Sequence, residues 1–201
     1  NINYFNNKYP QHKFTYILLT YINGSHDQLK ELCSSIGIKC IFIDNITSFI
    51  FPVKIQFENG YRLFYSMNRI MDEIPKDTYD CVLRVRLDSE VINFELHNIE
   101  PNTYYSFKES PNKVVDNIGY ASYNVMKKVW KHENCLLKGL GGEEVLYSAI
   151  QKNNIRIKPF NFHLKLYQSN DSTFDGVAQW SKRSREWIYN GKNFILRDID
   201  T

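Results

Sequence analysis

Asp88-Ser89-Glu90 closes an alternating apolar run at residues 79–87 and is the tripeptide in this chain best placed to do chemistry. Alternate side chains of a strand share a face. Tyr79, Cys81, Leu83, Val85 and Leu87 therefore fall on one side, and Arg84, Arg86 and Asp88 on the other. Glu90 continues the charged side if the chain stays extended. Open α/β sheets bind ligands beyond the carboxyl ends of their strands. Two carboxylates one residue apart can both reach a hard cation and leave positions for water and a ligand's phosphates. Arginines add planar, permanent charge suited to phosphate or carboxylate. The plainer alternative is a solvated face on which Arg86 and Asp88 neutralise each other.

Other charged groups invite the same question. Asp198-Ile199-Asp200 is a literal D-x-D after apolar Phe194-Ile195-Leu196, but nothing follows it from which to build a site, so it is discounted. Glu143 and Glu144 open a helical pattern after Gly141-Gly142, where acidic residues are favourable against the helix dipole without any function. His163 lies between Phe162 and Leu164 on a late strand and points away from their apolar side; a hydrogen-bonded surface histidine is the plain reading. Lys182, Arg183 and Arg185 form a basic cluster whose plain reading is a solvated face.

The elements that must position these groups alternate along the chain. A β-rich run at 14–22 ends at Asn23-Gly24, and Ser25 stands three residues before Gln28, a capping-box spacing. Leu29, Leu32, Cys33 and Ile36 follow at helical intervals, Gly37 is placed to stop the helix, and 38–43 is a second strand closed by Asp44-Asn45. A strong helix is predicted over 59–74, with Leu63, Phe64, Met67, Ile70, Met71 and Ile74 in one stripe and Arg62, Ser66, Arg69 and Glu73 opposite. Pro75 ends it. Later come a strand at 103–107, a helix capped by Ser122 carrying Val125, Met126, Val129 and Trp130, and a helix from Gly142 carrying Val145, Leu146, Ala149 and Ile150. Strands at 155–157 and 162–167 follow, and the last third reads as polar and irregular. Strands alternating with helices predict an α/β class with a mainly parallel sheet in one domain.

Composition agrees with an ordinary globular chain: 201 residues, 43% hydrophobic, 23% charged, with nine Gly and six Pro. A chain of this length removes roughly 70% of its unfolded surface from water and needs no staples. The net charge of +3 is too balanced for a dedicated nucleic-acid binder. The apolar run at 14–22 is half a membrane span and is interrupted by Thr and Tyr. Cys33, Cys40, Cys81 and Cys135 lack zinc-ligand spacing, which points to free buried thiols in a reducing compartment. Sequons at Asn23, Asn45 and Asn170 are expected by chance in so Asn-rich a chain. The aromatics, 15% of residues, read as core rather than as sugar-stacking platforms. No signal peptide is visible. The chain opens on Asn1 rather than Met, so a piece of a longer protein is one reading.

Several segments together resemble a known family. Tyr65-Ser66 with the helix to Ile74, and then Tyr79-Asp80-Cys81-Val82-Leu83-Arg84-Val85-Arg86-Leu87-Asp88, resemble nucleotide-sugar glycosyltransferases of the GT-A fold. The likeness is to the type found in polysaccharide-synthesis clusters and in large DNA viruses such as the chlorella viruses. Asp116-Asn117-Ile118-Gly119-Tyr120-Ala121 is similar to the family's acidic-plus-Gly segment, and Gly142-Glu143-Glu144-Val145-Leu146 to its P-E-x-x-L helix. The resemblance covers about residues 14–167. Two departures stand out: Glu90 replaces the usual last Asp of the metal motif, and Gly142 replaces the Pro.

The resemblance implies a single GT-A, Rossmann-like domain with a central, mainly parallel mixed sheet flanked by helices. Its nucleotide-binding half would be about 13–90 and its acceptor-side half about 91–201. Asp88 and Glu90 would hold Mn²⁺ or Mg²⁺ against the donor diphosphate, with His163 as a third metal ligand. Thr20, Tyr21, Asn23 and Asp44 would border the nucleotide, Arg62 or Arg86 would approach the donor, and Lys182, Arg183 and Arg185 could close over the diphosphate on a loop. Glu143 and Glu144 would serve as acceptor base or acceptor-sugar ligand. The expected activity is transfer of a hexosyl or deoxyhexosyl group from a UDP-sugar to a glycan or glycoprotein. The expected setting is cytoplasmic (host cytoplasm if viral), with no nucleic-acid partner and no transmembrane segment; a monomer is compatible with the sequence. Two other readings stay open. One is a catalytically silent carbohydrate- or protein-binding domain of the same fold. The other is a sugar nucleotidyltransferase, although the first β-α turn has one Gly where such an enzyme wants several. A haloacid-type phosphatase is disfavoured because no Asp follows the first strand.

Overall fold

The computed structural model describes residues 1–21, 26–43, 58–76, 78–86, 89–131, 133, 141–169 and 180–200. Asn23, Ser25, Asp44, Asn45, Asp88, Cys135 and Asn170 lie outside these residues. No helix among the described residues is long and apolar enough to cross a membrane.

The β-α-β unit forms as its pattern predicts. Strand β1 (Tyr16–Tyr21) runs parallel to β2 (Ile38–Ile43), with helix α2 (His26–Ser35) as the crossover. Gly37 takes φ +72° directly after α2, a left-handed conformation that glycine adopts without a Cβ penalty. Helix α3 (Glu58–Glu73) stops just before Pro75 and buries Phe64, Met67 and Met71. Each such side chain contributes roughly 1.5–3 kcal/mol of transfer free energy. That burial, rather than intrinsic propensity, holds the helix.

Strands β3 (Val82–Val85), β5 (Thr103–Tyr105), β8 (Ile118–Ala121) and β9 (Arg156–Lys158) form a four-stranded sheet in the order β3-β8-β5-β9. A second four-stranded sheet, β12-β11-β10-β4, joins β4 (Ser89–Phe94), β10 (Phe162–Ser169), β11 (Trp180–Tyr189) and β12 (Phe194–Asp200). The short strands β6 (Lys108–Ser110) and β7 (Lys113–Val114) make a separate hairpin.

Strand alternation sorts the core into two layers. Tyr104 and Ala121 face α3, α4 (Tyr123–Val129) and α5 (Gly142–Lys152), where Met126, Trp130, Leu146 and Ile150 are buried. Tyr105, Ile118 and Tyr120 face the other way, onto Phe94, Phe162, Leu164 and Trp187 of the second sheet and onto Phe160 just before β10. The apolar stripes expected on α3, α4 and α5 are the buried ones. Ser122 occupies the N-cap position of α4, but its side chain makes no cap hydrogen bond.

The α/β class holds, while the mainly parallel sheet does not. Among the described residues only the β1–β2 and β5–β9 ladders are parallel; the others are antiparallel. β1 and β2 form a sheet of their own rather than part of one central sheet. The reason lies in the connections. Parallel neighbours need a long crossover, and the connections within the β6–β7 and β11–β12 pairs are too short to supply one.

The last third is likewise more regular than its composition suggests. β11 and β12 form a long hairpin turned at Asn190-Gly191-Lys192-Asn193, with Gly191 at φ +84°. Asn190 Oδ1 accepts hydrogen bonds from the backbone N–H groups of Lys192 (3.2 Å) and Asn193 (2.9 Å). Asn-Gly between alternating runs is a strong hairpin signal, here obscured by the surrounding Lys, Arg and Glu.

A helix before the first strand, α1 (Ile2–Lys8), covers the outer edge of β4. Asn1 imitates a neighbouring strand: its Nδ2 donates to Ser89 O and its Oδ1 accepts from Val91 N, both at 2.8 Å. Covering an edge in this way blocks pairing with another chain.

Candidate active site at the carboxyl end of β3

Ser89 bonds back to Arg86, and Glu90 lies in a different sheet from the one that holds β3. Ser89 N (3.3 Å) and Ser89 Oγ (2.6 Å) both donate to Arg86 O. Glu90 therefore does not continue the face of Arg84 and Arg86, as an extended chain would require. It belongs to the second sheet, directly opposite Lys165 of β10. Lys165 in turn opposes Glu186 of β11, and Glu186 opposes Arg197 of β12. One row across four strands thus alternates Glu90, Lys165, Glu186, Arg197, and opposite charges facing across a ladder are favourable.

His163 joins this second sheet and not a ligand set with Glu90. Its Nε2 stands 3.3 Å from Glu186 Oε1, outside hydrogen-bond alignment, while Arg197 donates to Glu186 Oε2. In register His163 faces Asn93 and Ser89 pairs with Leu166. Among the described residues no three His, Cys, Asp or Glu groups stand close enough to hold a metal ion.

Lys182, Arg183 and Arg185 lie within β11 and not on a loop. β11 is paired on both sides, and Arg183 and Arg185 take Asp200 and Asp198 as register partners on β12. The discounted Asp198 and Asp200 thus have a place as ladder residues.

Two other predicted residues, Arg86 and Glu143, are linked through Asn117 and Asp116. Arg86 Nη1 donates to Asn117 Oδ1 (3.1 Å), and Arg86 N donates to Asn117 O (3.2 Å). This clamp joins the carboxyl end of β3 to the start of β8, next to Asp116. Arg84, one pleat back, points into the helical layer with its guanidinium 4.9 Å from the Trp130 ring, so it is not on a solvated face. Burial holds the Tyr104 phenol far above its ordinary value; Arg84 pulls it down and Asp116 pushes it up, which places all three within electrostatic reach.

Asp116 also acts on Glu143, in the first turn of α5. Burial raises the Glu143 carboxyl to about 7, and the charges of Glu109, Asp116 and Glu144 push the same way, against Lys113. Lys113 Nζ lies 3.9 Å from Glu143 Oε2. Its neighbour Glu144 has a different job: Oε2 accepts a hydrogen bond from Gly141 N at 3.0 Å, closing the amino terminus of α5. The two glutamates look alike in sequence, but one is a helix cap and the other a half-buried carboxyl able to titrate near neutrality.

The remaining candidates sit apart from this group or outside the description. Thr20 and Tyr21 end β1, paired with Phe42 and Ile43. Arg62 is half-buried on α3. Asn23, Asp44 and Asp88 lie outside the described residues. Sequence reasoning missed Lys113, Glu109 and Asn117 as parts of the site; the alternation of acid and base through 108–117 was the available signal. Cys33, Cys40 and Cys81 are free thiols, and burial pushes Cys81 up to about 12, too high to serve as a nucleophile. Comparison with protein-family models, curated proteins and solved structures finds no match for this chain.

Proposed function

We propose that this chain is a glycosyltransferase that moves a sugar from a UDP-sugar to a glycan or glycoprotein acceptor, on a fold of the GT-A kind. The observation that carries the reading is a link through the 116–117 segment: Arg86, at the carboxyl end of β3, clamps Asn117, and the charge of the adjacent Asp116 acts on Glu143, so three separate segments of the sequence resemblance are connected. A carboxylate titrating near 7 suits a general base, because ionised and protonated forms are both accessible at working pH. Glu143 would take the proton of the acceptor hydroxyl as it attacks the sugar carbon, whose oxocarbenium character nearby carboxylates stabilise. Arg86, fixed by Asn117, presents a planar donor to a diphosphate. Glu144 is left out of the chemistry by its capping bond.

The donor chemistry of Asp88 and Glu90, two hard carboxylates, fits Mn²⁺ or Mg²⁺. Asp88 with Glu90 would hold the ion, which when bound supplies Lewis-acid stabilisation to a leaving diphosphate. The cytoplasmic setting and the viral or polysaccharide-cluster source belong to the same proposal.

A thermal-shift series with UDP, GDP and CMP, each with and without Mn²⁺, tests the reading. A ligand that binds only the folded state raises its stability according to concentration over Kd. Stabilisation by UDP and not by GDP or CMP supports it. Preference for GDP, or no response to any nucleotide, counts against it and leaves a carbohydrate- or protein-binding domain as the better reading.

A further inference from the structure

Each strand of the β6–β7 hairpin sends one lysine to α5, and the two land four residues apart on the helix. Lys108 Nζ is 5.1 Å from the centroid of the Tyr147 ring, and Lys113 Nζ is 3.9 Å from Glu143 Oε2. Positions i and i+4 are neighbours on one helix face, so the hairpin grips that face at two points. Val114, next to Lys113, is wholly buried in the core shared with α3, α4 and α5, which fixes the backbone from which Lys113 projects.

The charged groups that face Glu143 come from every element around it: Glu109 from β6, Lys113 from β7, Asp116 from the segment after β7, and Glu144 from α5 itself. Three of these are carboxylates and Lys113 is the cation. We propose that Lys113 is a positioning residue for Glu143, holding the carboxylate in one place and favouring the ionised form that can accept a proton. The use made of that proton rests on the glycosyltransferase reading; the charge relationship does not.

The 3.9 Å separation suits this role. It is too long for a hydrogen bond and close enough for a charge contact. Lys113 therefore stabilises the anion without occupying the lone pair that must take the proton. Without it, a desolvated carboxyl among three others would hold its proton at neutral pH and accept none. Lys108 acts at one remove, through Tyr147, by anchoring the hairpin.

The test is a direct titration of Glu143 in the full chain, by NMR of ¹³C-labelled glutamate carboxyls, with the resonance assigned by its loss in Glu143→Gln. Lys113→Met should raise the midpoint by about half a pH unit or more, Lys113→Gln should do the same, and Lys113→Arg should restore it. Thermal melts on the same samples establish that each variant is folded, and two neutral replacements keep the test decisive if one fails to fold. An unchanged midpoint in a folded neutral variant, or no restoration by arginine, would overturn the proposal. The readout needs no sugar transfer, so a chain that shows this shift yet binds no nucleotide would refute the functional reading and not the role of Lys113. If transfer is found, the acid limb of the kcat–pH profile should move upward in Lys113→Met with KM little changed, and an unmoved limb would overturn the proposal.

Discussion

The phenol of Tyr104 lies directly over Gly119 on the neighbouring strand, where a methyl group on Gly119 would come within 2.4 Å of Oη and 2.8 Å of Cζ. Both residues sit in the sheet that carries the site, and Gly119 is the register partner of Arg84. The glycine is required here for close approach and not for its backbone conformation.

Gly119→Ala should therefore destabilise the fold by about 1–3 kcal/mol or more, the ordinary cost of overpacking a closed core. Tyr104 is fully buried and its ring cannot swing into solvent. Tyr104→Phe in the alanine background should recover only part of the loss, because Cζ remains too close. Urea denaturation of the wild type and both variants measures this, and a neutral Gly119→Ala would refute the packing argument.

Glu143 predicts a pH dependence of stability. Its carboxyl is raised in the folded state to about 7, so between roughly pH 4.5 and 7 the folded chain binds more protons than the unfolded one. Stability contributed at this position falls as pH rises through that window and stays reduced above it. Discounted for partial exposure, the cost above pH 7 is about 1 kcal/mol. Glu143→Gln removes it, so the variant should melt higher than wild type at pH 8 and about equally at pH 5. A gain at pH 5 as large as at pH 8 would contradict the assignment.

Glu186 predicts the opposite sign. Burial raises its carboxyl, but the hydrogen bond from Arg197 and the charges of Arg197 and His163 outweigh burial and leave it below the ordinary value. Its contribution is complete above the unfolded-state value near 4.5 and is lost as pH falls through the lower folded value. Glu186→Gln should weaken the chain at pH 7, and that disadvantage should shrink as pH falls below 4.5. A disadvantage that persists undiminished at pH 3 in thermal melts would rule out the ionic contribution.

Asp88→Asn and Glu90→Gln each keep size while removing a charge that a divalent ion needs beside a diphosphate. If this pair holds the cation, each should weaken Mn²⁺-dependent UDP binding on the order of tenfold to a hundredfold, by analogy with outer-shell changes at other metal sites. If Glu90 only completes the charge row with Lys165, Glu90→Gln should cost at most about 1 kcal/mol of stability and leave UDP binding unchanged. Calorimetric titration with and without Mn²⁺ separates these outcomes.

Local rules carried much of the architecture. The periodicity of Phe64, Met67 and Met71 specifies which face of α3 is buried, Gly37 stops α2, and the β-α-β segment pairs in parallel because its crossover is long enough. Helical and strand periods are properties of neighbouring residues, so they are legible in one dimension. Long-range pairing is not. Arg86 meets Asn117 across 31 residues, and Lys113 meets Glu143 across 30, through contacts whose partners no local pattern names. The same limit applies to Glu90, which would continue the face of Arg84 and Arg86 only in an extended chain, whereas the β4–β10 register sets it opposite Lys165 and sets His163 opposite Asn93. Glu143 and Glu144 are equivalent as a string. What separates them is the helix: one carboxylate turns back to the backbone of Gly141, while the next faces a hairpin that desolvates it and surrounds it with charge.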